Sequence, residues 1–169
     1  MPEKKTIEQA RRDKREGKAP TTQAGEFVRE EIEHIREGKH GARSAAQAVA
    51  IGLSKARRAG VELPPPEKGQ ASEKTRRSAQ RALQAGETNP NAKPSRKRSR
   101  AVTTALQREG QAAASETALS RQAKRAAKER TAVERSEAAQ KAARTKGPAE
   151  RSQAAQKAAM TRARRNAGE

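Results

Sequence analysis

The side chains able to do chemistry in this chain are mostly cationic, and they fall in clusters. Arg96-Lys97-Arg98-Ser99-Arg100 sets four positive charges in five positions. Arg121, Lys124, Arg125, Lys128, Lys141, Arg144, Lys157, Arg162, Arg164 and Arg165 follow among alanines, and Lys55, Arg57 and Arg58 form a smaller group upstream. Arginine presents a planar fork of donors and lysine a compact ammonium, and both pair with phosphate. Neutralising a row of phosphates releases condensed counterions, which gives salt-sensitive, sequence-blind affinity. These residues are the expected nucleic-acid contacts.

Other chemistries lack their parts. There is no cysteine, which removes disulfides, thiolate metal sites and thiol nucleophiles. His34 and His40 are the only histidines. One falls on a charged helix and the other in a turn, so they read as solvated side chains, and no metal or cofactor site is assigned. Gly38-Lys39 lacks the glycine-rich loop and following hydroxyl of a phosphate-binding loop. No serine has a defensible basic partner. The chain therefore reads as a non-enzyme without a small-molecule substrate. No apolar run could span a bilayer or serve as a signal-peptide core, so no membrane role is expected.

Composition sets the frame around the cations. Net charge is +19, with 35% charged residues and 1% aromatic. Low hydrophobicity with high charge marks disorder or partner-dependent folding. Residues 21–60 carry a net charge of only +2, whereas 61–110 carry +6 and 111–169 carry +8. Missing aromatic platforms tilt the expectation toward duplex DNA over RNA, because single-strand binders stack bases on rings.

The elements that would position the cations organise around residues 21–60, which hold Phe27, the lone aromatic. Residues 1–20 read as a charged, partly formed helix with little to bury, capped by Thr6 and stopped by Gly17 and Pro20. Val28, Ile32 and Ile35 share one face of a helix over 25–37, with Phe27 at its edge. Glu26, Glu30, Glu33 and Glu37 mark an acidic face, expected to avoid phosphate or to pair with the basic end of the next helix. Gly38-Lys39-His40-Gly41 makes the turn. Ser44 caps a second helix over 45–59, in which Gly52 suggests close helix approach. The fold class is all-α: a small helical hairpin plus short separate helices, with extended or partly disordered basic linkers and arm. So small a core invites a homo-oligomer through the hairpin as one way to complete it.

Residues 61–71 read as a stiff Pro-rich linker. Ser72 caps a helix over 73–85 that Gly86 stops, and Ser95 caps another that ends near Gly110. An internal repeat then appears: Glu134–Thr145 matches Glu150–Thr161 at ten of twelve positions, with Gly147-Pro148 between the copies. The region 111–169 reads as an Ala/Lys/Arg-rich arm of short helices.

The block GEFVREEIEHIREGKHGARSAAQAVAIGLSKARRAG, with KREGKAP before it and LPPP after it, resembles a family of small basic bacterial proteins without an assigned function, some labelled DNA-binding. The repeats resemble the Lys/Ala-rich tails of bacterial histone H1-like proteins. The resemblance implies a cytoplasmic bacterial protein, and the charge gradient and repeats add the expectation of a nucleoid-associated role. The expected function is non-enzymatic binding of double-stranded DNA. An RNA-binding or ribosome-associated factor and a hydrophilic stress-protective protein remain as alternatives.

Overall fold

Alanine and glycine decide how closely the helices of this chain approach one another. The computed structural model describes residues 2–90, 95–145 and 147–166, with the side chains of Lys141, Ala142 and Thr145 outside the described set. The described residues are all α, without strands: α1 (Lys4–Arg15), α2 (Pro20–Arg36), α3 (Ala45–Arg58), α4 (Glu73–Thr88), α5 (Arg96–Gln107), a 3-10 turn at Ala112–Ala114, α6 (Glu116–Glu129), α7 (Ala132–Thr145) and α8 (Pro148–Asn166). Two compact units result, Met1–Ala123 and Lys124–Glu169. The first therefore extends past residue 110, where the sequence placed the start of the arm.

Helix α2 contacts both α1 and α3. It runs antiparallel to α3: Phe27 shares a core cluster with Ala56, and Ile35 shares another with Ala48. The first cluster joins Ala10, Ala24, Phe27, Ala56, Val61 and Leu63. The second joins Ile35, Ala42, Ala48, Ala113 and Ala114. Phe27 is fully buried, on a helix that packs against α1, α3 and the 3-10 turn.

Three chain reversals share one device. Helices α1, α2 and α3 each end on a glycine at positive φ: Gly17 (70°), Gly38 (76°) and Gly60 (89°). After each, the next amide reaches back to the helix: Lys18 N–H to Asp13 O, Lys39 N–H to His34 O and Val61 N–H to Ala56 O. This is the Schellman arrangement, which satisfies carbonyls that a helix end leaves open.

Several expectations need correction. Residues 1–20 form a packed helix: Ala10 enters the core, and Asp13, 1% exposed, accepts from Lys18 Nζ at 2.8 Å. Thr6 does not cap it but lies buried within the helix, which begins after Glu3. Pro20 starts α2 instead of ending α1, since the first helical position needs no amide hydrogen. Gly86 does not stop α4. It lies within the helix, where a Cβ would fall 1.9 Å from the Arg57 carbonyl oxygen. The start of the proline segment is not a free spacer, because Val61 and Leu63 are buried. Elements of the chain itself, α1, α4 and Ala112–Ala114, pack against the α2–α3 hairpin.

Other readings hold. Ser44 Oγ accepts from Gln47 N–H, and Ser72 Oγ accepts from Thr75 N–H. The repeat copies lie on separate helices, α7 and α8.

Candidate nucleic-acid interface

Helix α5 opens on four cations in five positions and contains no acidic residue. Arg96, Lys97, Arg98 and Arg100 are exposed, and among the described residues no carboxylate stands within ion-pair distance of them. No acidic residue occupies the first turn. A helix N-terminus already carries partial positive charge, so these cations repel it and one another until an anion arrives. The helix buries none of its own residues. Its C-terminal end is anchored, because Gly41 N–H donates to Leu106 O at 2.9 Å and Ala42 N–H to Gly110 O at 3.1 Å.

On α6, Arg121, Lys124, Arg125 and Lys128 are exposed, and Arg125 stands 3.4 Å from Glu129 one turn later. Arg144 on α7 and Lys157, Arg162, Arg164 and Arg165 on α8 are exposed. The Lys141 side chain lies outside the described residues. Helix α7 opens on a reciprocal cap: Thr131 N–H donates to Glu134 Oε2 at 2.6 Å, and Glu134 N–H donates to Thr131 Oγ1 at 3.2 Å. The Thr131 amide first, and then the Thr131 side chain, hold the Glu134 carboxyl below its ordinary range.

Two expected phosphate contacts are used elsewhere. Lys55 is 21% exposed and pairs with Glu31 Oε2 and, at 3.6 Å, with Glu30 Oε1. This is the pairing between the acidic face of one helix and the basic end of the next that the sequence suggested, although Glu31 was not among the residues assigned to it. Arg57 is buried, with Nε donating to Leu63 O and a terminal nitrogen to Pro64 O, each at 2.9 Å. Burial lowers its pKa from the ordinary value. Its fork holds the chain entering Pro64-Pro65-Pro66. Arg58 alone of the three is exposed.

The histidines are not separate solvated groups. Their ring centroids lie 6.2 Å apart, nearly perpendicular, and the side chains are only 14% and 13% exposed. His34 Nε2 lies 3.0 Å from Glu3 Oε1. That bond, with Lys39 nearby, holds the Glu3 carboxyl below its ordinary range. His40 Nε2 lies 3.4 Å from Glu31 Oε1. The spacing of Glu31 and His34, one helical turn apart, with His40 beyond a glycine-led reversal, was the signal that could have shown this cluster.

Comparison with protein-family models, with curated proteins and with solved structures gave no match. No described helix is long and apolar enough to cross a membrane.

Proposed function

We propose that this protein binds nucleic acid, duplex DNA ahead of RNA, by neutralising backbone phosphates without a catalytic step. The observation that carries this reading is the start of α5, where four exposed cations have no carboxylate partner among the described residues. Phosphates laid along that turn would relieve both the mutual repulsion and the unfavourable dipole. Arg58 and the exposed cations of α6, α7 and α8 extend the set, while Lys55 and Arg57 are left out of it. Short alanine-rich helices gain stability from a polyanion, so the basic segments would become more ordered on binding. The likeness of the repeats to Lys/Ala-rich nucleoid-protein tails agrees with a nucleoid-associated role.

The test is a mobility-shift titration of the full chain on duplex DNA at several salt concentrations. A steep fall in affinity with salt supports the reading, and no shift at low salt removes it. Competition with structured RNA decides between the two polymers.

A further inference from the structure

Charge is out of balance where α2 meets α3. Glu30 and Glu31 have side chains only 4% and 1% exposed, yet one ammonium, Lys55, serves both. Glu30 Oε2 also accepts the Glu3 amide at 3.1 Å. Glu31 Oε1 is fully buried and accepts no hydrogen bond among the described residues, while Glu31 Oε2 and Glu30 Oε1 face the Lys55 ammonium. A buried carboxylate without full compensation is costly, so the arrangement calls for another positive charge beside Glu31.

The neighbour on that side is His40. Its Nδ1 lies 3.1 Å from the Gly41 carbonyl oxygen. A carbonyl can only accept, so Nδ1 carries the hydrogen, and a neutral ring would keep its lone pair on Nε2. That nitrogen faces the buried Glu31 Oε1 at 3.4 Å. Either a proton on Nε2 or a bound cation satisfies that pair, and the second needs further ligands close by. A backbone carbonyl that fixes the tautomer of a ligating histidine is the usual outer support of a metal site.

His34 completes the set. One nitrogen of each ring and a Glu31 carboxylate oxygen all lie within 4.8 Å of one another. Glu31 and His34 are one turn apart on α2, and the reversal at Gly38 brings His40 back beside them.

We propose that Glu31, His34 and His40 bind a divalent transition cation of the zinc type. Two imidazoles and a carboxylate match that ion, and three protein ligands leave a fourth tetrahedral position for water. Calcium and magnesium prefer all-oxygen shells and are excluded by this donor set. The ion would tie α2 to the connection before α3 and supply the missing charge. This site does not depend on nucleic-acid binding. The chain has no cysteine and no other histidine, so background sites for such an ion are few.

Titration of the metal-free full chain with zinc, followed by calorimetry, tests the site. One equivalent should bind, and the thermal midpoint should rise with zinc but not with magnesium. Cobalt should give the intense visible bands of a tetrahedral centre. H34Q and H40Q should each weaken zinc by at least about a hundredfold, above the loss typical of a supporting residue. Both variants keep Glu31 and Lys55, and their circular dichroism should match the parent. Absence of saturable binding by the folded parent, or equal binding by the H34Q/H40Q double variant, would overturn the proposal.

Discussion

Gly52 on α3 lies directly against Val28 on α2: a Cβ added to Gly52 would stand 2.7 Å from the Val28 Cα and 3.0 Å from the Phe27 carbonyl oxygen. Backbone presses on backbone here, so neither side can give way by turning a rotamer. Gly52→Ala should destabilise the fold by about 1–3 kcal/mol despite its better helix propensity. Gly86→Ala should cost at least as much, because the Arg57 carbonyl oxygen blocks its Cβ at 1.9 Å. Gly25 is the contrast: it lies inside α2 with nothing within 4 Å of an added Cβ. Gly25→Ala should stabilise by about 0.5–1 kcal/mol. Urea unfolding of the three variants measures the order.

Lys55→Met keeps the aliphatic stem but removes the ammonium between two buried carboxylates. The expected loss is about 3–5 kcal/mol, the range for breaking a buried pair from one side. Adding Glu31→Gln to the same chain should recover part of it. The double-mutant cycle in urea reports the coupling.

Acid should loosen the start of α7. The folded state holds the Glu134 carboxyl below its ordinary value of 4.5, through the Thr131 amide first and then the Thr131 side chain. Stability from a lowered carboxyl pKa is present above the unfolded value and disappears as pH falls through the folded one. Amide exchange at Thr131 should therefore quicken below pH 4.5 relative to the middle of the helix, after correction for intrinsic rates. In Glu134→Gln that additional acid response should be absent.

Replacing Arg96, Lys97, Arg98 and Arg100 with glutamine should flatten the salt dependence of DNA binding. With about 0.9 counterions released per phosphate contact, loss of four contacts lowers the slope of log K against log salt by about 3–4. Replacing Lys55 and Arg57 should leave the slope unchanged wherever the chain stays folded, since both cations are already bound within the protein. A fluorescence-anisotropy series across salt concentrations reads both.

Cap chemistry was legible at two of four expected positions, since Thr6 lies within α1 and Ser95 precedes α5 without a side-chain cap bond. Ser44 and Ser72 announce α3 and α4 because a hydroxyl at that position has one strongly favoured partner, an amide in the first turn. Proline and glycine were harder, since each has two meanings. Pro20 fits the beginning of a helix as well as the end of the previous one, and Gly86 fits a stop as well as a close contact. Choosing between them requires knowing what lies alongside. Helix α1 was underestimated because Ile7 is its lone large apolar residue, whereas its burial rests on Ala10, Thr6 and the Asp13 carboxylate. The histidine cluster was hidden because its third member, Glu31, falls outside the acidic face of Glu26, Glu30, Glu33 and Glu37 and drew no reading of its own. Lys55 and Arg57 joined the cation set on residue type, which carries no information about a buried partner.

A fold closed by glycine and alanine has a thermal consequence. Heat capacity rises on unfolding mainly because hydrocarbon meets water, and Phe27 and Ile35 are the only large hydrocarbon side chains that the described core removes completely from solvent. The melting enthalpy of this protein should therefore change little with temperature, and its stability should form a low, broad arch with a distant cold limit.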